Sequence, residues 1–329
     1  MPSKPRQDRL EKDLAALQPA LAHPDLPESR ELLRAALRKS RSLAAAKAAD
    51  LIRSRSLTGF EDDLRTAFER FLEDPIKSDP SCKAKLAALE ALDFLESLDP
   101  APFLTGVRTF QREPAWGEPV DTATGVRSRA AFGLARLGHP EFALRMADLL
   151  ADPEATVRQA AAEAIAHRQD AAGAPLLQLK LRINDSEPQV TLACLSGLVA
   201  LIPDWGIREA IGCLSSEDEE VREIGALALG QSRGEEAAMA LLTALGGEVF
   251  SPRRAILLRA LGMHRSEQAL QALLRVIAEE ARADARAAIE ALVFRSFEPG
   301  LRERVVEAAS RSRHDDLEGV VREAFRSGE

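Results

Sequence analysis

An acidic residue recurs six positions before a basic one along this chain, and a run of small apolar residues follows each basic position. The five pairs are Asp79 and Lys85, Asp121 and Arg127, Asp152 and Arg158, Glu248 and Arg254, and Glu280 and Arg286. A short repeated unit cannot bury its apolar face alone, so it has to stack on neighbouring copies. The spacing therefore predicts an array of similar units rather than one closed core.

The repeat recurs at a nearly constant interval. The residues just before the basic positions are spaced 31, 33, 31, 32 and 32 apart, and they are Val126, Val157, Val190, Val221, Arg253 and Ala285. Within residues 140–168, apolar side chains recur at helical spacing from Phe142, and Pro153 ends that helix before a second one starts near Glu154. Each period thus predicts a helical hairpin. Three glycines fall where helix C-caps are expected: Gly138, Gly230 and Gly262.

The composition fits a helical array. Hydrophobic residues make up 46% of the 329 residues, aromatic residues only 4%, and tyrosine is absent. Helices that pack through Ala and Leu need few large rings, whereas β-rich proteins use more of them. We therefore expect an all-α fold, an α-solenoid of about eight stacked helical hairpins over residues 28–312. Capping helices are expected within residues 1–27 and 313–329.

Residues 149–165 carry the clearest resemblance to a known family. Asp152-Pro153 is followed there by Val157-Arg158 and then by Ala161-Ala162. With the period near 32, this pattern resembles the HEAT-repeat family in its short bacterial form. In that family the acid and the arginine form a ladder between neighbouring units, so the resemblance implies that role for the five pairs. Two positions depart from the pattern, because Thr191 stands where a basic residue is expected and Ser216 where an acid is expected.

Two further segments, 75–85 and 113–123, resemble signatures of a group of bacterial HEAT-repeat proteins, a resemblance that supplies no catalytic residue. The second signature lies in segment 110–125, which lengthens its unit by about ten residues and should end in a helix start at Asp121 or Thr122. Long loops in compact arrays are often functional. Two interpretations, which do not exclude each other, are left open. In one, Trp116 folds back to fill a gap between units and Asp121 is a helix cap and ladder acid; in the other, the segment is a recognition loop centred on Trp116, Arg112 and Glu113.

The charge balance limits the possible partners. The net charge is −8, which argues against binding a nucleic-acid duplex. Residues 1–60 nevertheless hold 12 basic and 7 acidic residues, a net of +5. This positive charge has two alternative explanations, a solvated charged surface or a site that binds an anionic partner. The repeated basic residues form a line along the stack, and Arg222 in that line and Arg129 beside it are the better candidates for cations left free to bind a carboxylate or a phosphate.

Signatures of catalysis and of metal or cofactor binding are largely missing from the sequence. It contains no HExxH, no GxSxG and no glycine-rich phosphate loop. Cys82, Cys194 and Cys213 lack CxxC spacing, which predicts reduced core thiols and a cytoplasmic location. We therefore expect no metal site and no cofactor.

The sequence favours a non-catalytic scaffold or adaptor that binds another protein through the concave face formed by the second helices of the hairpins. No membrane partner is expected, nucleic acid is disfavoured, and the protein alone should be a monomer. The alternative is a HEAT-like enzyme, either a DNA glycosylase-type nucleic-acid binder or a bilin lyase-like protein. A shared fold does not specify which reaction such an enzyme would catalyse.

Overall fold

The computed structural model describes residues 11–24 and 26–326, and these residues form helices packed in sequential pairs together with one short β-hairpin. The predicted all-α fold is confirmed, and the paired helices are consistent with a HEAT-like α-solenoid. The chain divides into two compact units, Met1–Arg168 and Gln169–Glu329. Parts of the two predicted capping segments, residues 1–10, 25 and 327–329, lie outside the described residues.

The first unit repeats one packing relation along its length. Its helices are α1 (Gln18–Ala22), α2 (Pro27–Lys39), α3 (Ser42–Ser54), α4 (Glu61–Arg70), α5 (Pro75–Ser78), α6 (Lys83–Phe94), α7 (Ala101–Gly106), α8 (Thr124–Leu137), α9 (Phe142–Leu150) and α10 (Ala155–His167). The second helix of each pair packs on the second helix of the next, so that α3 contacts α6, α6 contacts α8 and α8 contacts α10. This is the translational repetition that the sequence period predicts.

The second unit follows the same rule. Its helices are α11 (Ala174–Ile183), α12 (Pro188–Leu201), α13 (Pro203–Leu214), α14 (Glu219–Gln231), α15 (Glu235–Gly247), α16 (Ser251–Met263), α17 (Glu267–Glu279), α18 (Arg282–Leu292), α19 (Leu301–Ser310) and α20 (Leu317–Ala324). The row of second helices runs from α12 through α14, α16 and α18 to α20. One continuous apolar core extends along this unit, from Leu195 to Phe325.

The hairpin of residues 140–168 shows how local sequence sets the pairing. Helix α9 buries Phe142 and Met146 on the face that the sequence predicts, and α10 buries Val157 and Ala161. Helix α9 begins two residues after the predicted start at Pro140, following a turn in which a ring nitrogen of His139 accepts the N–H of Glu141. No helix among the described residues combines the length and the apolarity needed to cross a bilayer.

The three glycines predicted as C-caps have two different roles. Gly138 ends α8 in the left-handed conformation, with φ of 60°, as predicted. The prediction is wrong for Gly230 and Gly262, which lie inside α14 and α16. A β-carbon at Gly230 would lie 2.5 Å from the carbonyl oxygen of Ala260, and one at Gly262 would lie 2.4 Å from that of Ala291. These two glycines let the backbones of neighbouring second helices approach closely.

Candidate functional site

Segment 110–125 forms a β-hairpin, which the sequence did not predict. Strand β1 (Arg112–Glu113) pairs antiparallel with β2 (Val120–Asp121), with Arg112 opposite Asp121 and Glu113 opposite Val120. Helix α8 then begins at Thr124 rather than at Asp121 or Thr122, because Asp121 belongs to the second strand. The inserted residues are therefore an ordered projection from the first unit.

The end of this hairpin is apolar and exposed. Trp116 is fully exposed, so it does not fill a gap between units, and that interpretation of the sequence is wrong. Val120 is more than half exposed. Arg112 is exposed and forms no ion pair within the described residues. We refer to Arg112, residues 114–119 and Val120 as the hairpin tip.

Glu113 faces the opposite way, toward the body of the unit. Its Oε1 accepts hydrogen bonds from the backbone N–H of Ser81 at 2.6 Å, from Nε2 of Gln111 at 2.7 Å and from the hydroxyl of Thr122 at 2.7 Å. The sequence placed Glu113 at the centre of a recognition loop, but its carboxylate is occupied in fastening the base of the hairpin. Charge-assisted bonds of this kind are about twice as strong as neutral ones.

The hairpin base meets the other signature segment, 75–85. Gln111 Nε2 donates to the carbonyl of Asp79 at 2.9 Å, and the thiol of Cys82 lies 3.5 Å from the hydroxyl of Thr122. Ser81 and Cys82 both adopt left-handed backbone conformations, with φ of 64° and 53°. Such conformations cost about 1–3 kcal/mol each in residues other than glycine, so the surrounding contacts must hold them. The two segments identified separately in the sequence thus form one structural site.

Two clusters of buried charged groups lie beneath this site. The carboxylate of Asp79 accepts the backbone N–H groups of Ala84 and Lys85 and also lies 3.1 Å from the Lys85 ammonium, with both side chains wholly buried. The guanidinium of Arg127, also wholly buried, lies 2.7 Å from Asp121 and makes a bidentate contact with Asp152 at 2.8 and 3.0 Å. The ring of Phe110 covers the Arg127 guanidinium at 4.0 Å. The hairpin is therefore tied to the core by two charge clusters.

The ladder that the resemblance implies runs from an arginine of one helical hairpin to an acid of the next. Arg127 reaches Asp152 in this way, and Arg254 contacts both Glu280 and, at 2.8 Å, Asp284. Asp284 is buried and was missed in the sequence because it does not lie at the six-residue spacing. These contacts join successive hairpins to each other.

The six-residue spacing gives an ion pair at Asp79 with Lys85 and at Asp121 with Arg127, but it has a different cause at three other arginines. Arg158, Arg222 and Arg254 each donate from Nη1 to the backbone carbonyl six residues earlier, at 2.9, 2.5 and 2.8 Å. Only the carbonyl is needed for that contact. Ser216 therefore replaces the acid before Arg222 without loss of the bond.

The last two predicted pairs need correction. Glu280 pairs with Arg254, while Arg286 forms an exposed pair with Glu290 at 2.8 Å, so Glu280 and Arg286 do not bind each other. Glu248 offers Arg254 only its backbone carbonyl, because its carboxylate accepts the N–H groups of Val249 and Phe250.

Thr191 and Ser216 occupy the positions of an arginine and of the acid that follows it. Both ionisable partners are therefore absent from that position of the ladder together, and no unpaired charge is left.

The two candidate free cations differ in their surroundings. Arg129 lies 3.4 Å from Asp93, which Arg136 also contacts at 2.8 Å, so Arg129 already has an anionic partner. Arg222 donates to the carbonyls of Ser216 and Glu217, and it pairs with no carboxylate within the described part of the chain. The structure thus leaves only Arg222 of the two with charge available for a ligand.

The cysteines are free thiols, with Cys82 and Cys194 buried and Cys213 partly exposed. Burial raises the pKa of all three thiols, that of Cys194 to about 12. None is therefore a ready thiolate nucleophile at neutral pH. Across residues 11–24 and 26–326, no group of three or more His, Cys, Asp or Glu side chains is arranged to hold a metal ion.

Acid should loosen the hairpin base. Burial alone would raise the pKa values of Glu113 and Asp121, but the hydrogen bonds that each carboxylate accepts outweigh burial, and both pKa values are lowered. Their contribution to stability is therefore complete above the ordinary carboxyl pKa of about 4 and is lost as the pH falls through the lowered values. Urea unfolding from pH 7 to pH 2 should show this loss, with a shallower decline in Glu113→Gln. An equally steep decline in that variant would contradict the role assigned to Glu113.

No protein-family model matches the sequence, and no curated protein matches it either. Among solved structures, the chain is similar to the complex of CpcE and CpcF of phycocyanin lyase from Nostoc sp. PCC7120. The sequences are 18% identical, the TM-score is 0.39, and the match covers 85% of this chain and 93% of that chain. A match at this level does not assign an activity to this protein.

Proposed function

We propose that this protein is a non-catalytic adaptor that binds another protein through the hairpin tip. The observation that carries the proposal is Trp116, a fully exposed tryptophan at the end of a hairpin whose base is fixed by Glu113 and Arg127. Tryptophan and arginine dominate binding energy at protein interfaces, and a pre-ordered loop loses little entropy when it binds. The contact surface therefore shifts from the concave face expected from the sequence to the hairpin.

The chemistry of the tip indicates the kind of partner. Trp116 and Val120 offer apolar surface, and Arg112 adds a cation that has no ion-pair partner within the described residues. A complementary surface would have an apolar pocket with a carboxylate at its rim, because a guanidinium binds a carboxylate through paired hydrogen bonds. A partner protein of this kind could bind without any change in the fold of the first unit.

Replacing Trp116 with Ala tests the proposal. Proteins retained from the native cell on immobilised wild type should be lost from Trp116→Ala, and calorimetry with the purified partner should show an affinity about 30-fold weaker or worse. Leu98→Ala is the matched control, because Leu98 is 84% exposed in the same unit but lies outside the hairpin. Both variants should unfold within about 0.5 kcal/mol of wild type. Equal partner binding by wild type and Trp116→Ala would remove the hairpin tip from the proposal.

The glycosylase-type alternative has weak support from the first unit. A shallow groove along α3 and α6 carries Lys47 and Lys83, but Asp50 and Glu90 line it as well. Such a mixed surface lacks the concentrated positive charge that binds phosphates. Binding to duplex DNA in a gel-shift assay at low salt would support this alternative.

The bilin lyase-like alternative can be tested directly. The similar solved structure is named as a phycocyanin lyase complex, but the likeness is too distant to transfer an activity. The test is to mix the protein with an open-chain tetrapyrrole and to record the absorption spectrum of that chromophore. A shifted and intensified band in wild type would favour a chromophore-handling role over the adaptor.

A further inference from the structure

In the second unit, the charge ladder lacks the ion pair that it would be expected to have at Arg222. By the pattern of Arg127 with Asp152, its partner would be Glu248 of the next hairpin, but the carboxylate of Glu248 turns to the backbone N–H groups of Val249 and Phe250 at 3.0 and 2.9 Å. No ion pair joins Arg222 and Glu248 within the described residues. A guanidinium and a carboxylate that neighbouring repeats bring together are thus kept apart here.

A cavity of about 250 Å³ occupies this place. Arg222 of α14 and Arg253 of α16 line it, and Leu214, Ile256 and Leu257 supply apolar wall. Glu248 also lines the cavity, and its carboxylate lies 3.8 Å from the Arg253 guanidinium. Among the residues that line the cavity, two guanidinium groups face one carboxylate, a net charge of +1 that a monoanion would neutralise.

We propose that this cavity binds a small monocarboxylate with a short apolar body. The two carbonyl contacts of Arg222 use Nη1, so Nε and Nη2 remain as donors for an incoming carboxylate. The apolar walls would take the hydrocarbon part, as in ligand sites that combine a few polar groups with an apolar lining. This site lies in the second unit and does not depend on the hairpin tip of the first.

The direct test compares an acid with its amide. Two-dimensional ¹⁵N–¹H NMR spectra of the full chain are recorded during titration with hexanoate and, separately, with hexanamide. Hexanoate should shift signals from α14 and α16, whereas hexanamide, which has the same apolar body without the charge, should bind about tenfold more weakly or not at all. Equal shifts from both compounds, or no shifts from hexanoate, would overturn the proposal.

Variants locate the site. Arg253→Gln should weaken hexanoate binding about tenfold, and because Arg253 is exposed this variant should fold normally. Arg222→Gln should weaken binding too, and its thermal unfolding is measured alongside because the substitution also removes the two carbonyl contacts. Arg259→Gln is the matched control, since Arg259 lies on the same helix as Arg253 but pairs with Glu223 away from the cavity. Unchanged binding in Arg253→Gln would overturn the assignment.

Peptides distinguish two sources of the carboxylate, the C-terminus of a partner protein and a small organic acid. A pentapeptide ending in Leu with a free C-terminal carboxylate is compared with the same peptide amidated at its C-terminus. Tighter binding of the free peptide than of hexanoate would identify the end of a partner chain as the ligand. Binding of hexanoate alone would identify a small metabolite-like acid.

Discussion

Replacing Arg127 with Met should destabilise the first unit by about 3–5 kcal/mol, measured by urea unfolding at neutral pH. The substitution leaves the carboxylates of Asp121 and Asp152 without their cation, and both are almost wholly buried. It also removes the donor to the carbonyl of Thr109, at 3.0 Å, just before the hairpin. Removing one partner of a buried pair is costly because the remaining charge has lost its hydration as well as its partner.

The control for Arg127→Met is the equivalent substitution at Arg286. Both arginines stand at the same place in the repeat, so the sequence gives no reason to expect different results. The side chain of Arg286 is 59% exposed and pairs with a similarly exposed Glu290, so water screens their attraction and the substitution should change stability far less. Equal destabilisation by the two variants would show that burial does not decide the strength of these contacts.

Changing Gly262 to Ala should destabilise the second unit by about 1–3 kcal/mol. Alanine favours the helix by up to about 1 kcal/mol over glycine, so the expected loss runs against intrinsic propensity. The new β-carbon would lie 2.4 Å from the carbonyl oxygen of Ala291 and 2.7 Å from its carbonyl carbon. Backbone atoms cannot rotate aside as side chains can, and therefore α16 and α18 must move apart.

The same substitution at Gly212 should have the opposite sign. Gly212 lies within α13, and a β-carbon there would meet no atom within 4 Å apart from the adjoining backbone of its own helix. Gly212→Ala should stabilise the second unit by about 0.5–1 kcal/mol through helix propensity and a less flexible unfolded chain. Thermal unfolding of the two variants side by side gives the comparison. Two shifts of the same sign would contradict the close approach inferred at Gly262.

The fold could be predicted from the sequence because the apolar residues that become buried recur at helical spacing within each repeat unit. The buried face of α9 follows from the helical spacing that begins at Phe142, and Pro153 marks the break that separates it from α10. The spacing of apolar residues and the position of a proline were sufficient to predict these two helices. Gly230 and Gly262 were misassigned because a glycine near a helix end and a glycine at a helix crossing look alike until the neighbouring helix is known.

The candidate site was predicted only in part. The sequence singled out Trp116, Arg112 and segments 75–85 and 113–123, but nothing in the spacing showed that the two segments touch. Their contact is made by Glu113 and Gln111, whose partners lie in the earlier segment, far away along the chain. The charge ladder was misinterpreted for a similar reason. At Arg158, Arg222 and Arg254 the six-residue spacing reflects a short-range contact with a backbone carbonyl. The same spacing gives an ion pair at Asp79 with Lys85 and at Asp121 with Arg127, whereas the contacts that join successive hairpins, such as Arg127 with Asp152, lie at longer separations.

The fastened base of the hairpin has a practical consequence. Residues 114–119 lie between Glu113 and Asp121, two anchors that keep their contacts whatever the intervening sequence presents to solvent. Foreign recognition loops could therefore be grafted between these anchors, which would make the first unit a carrier for engineered binding reagents.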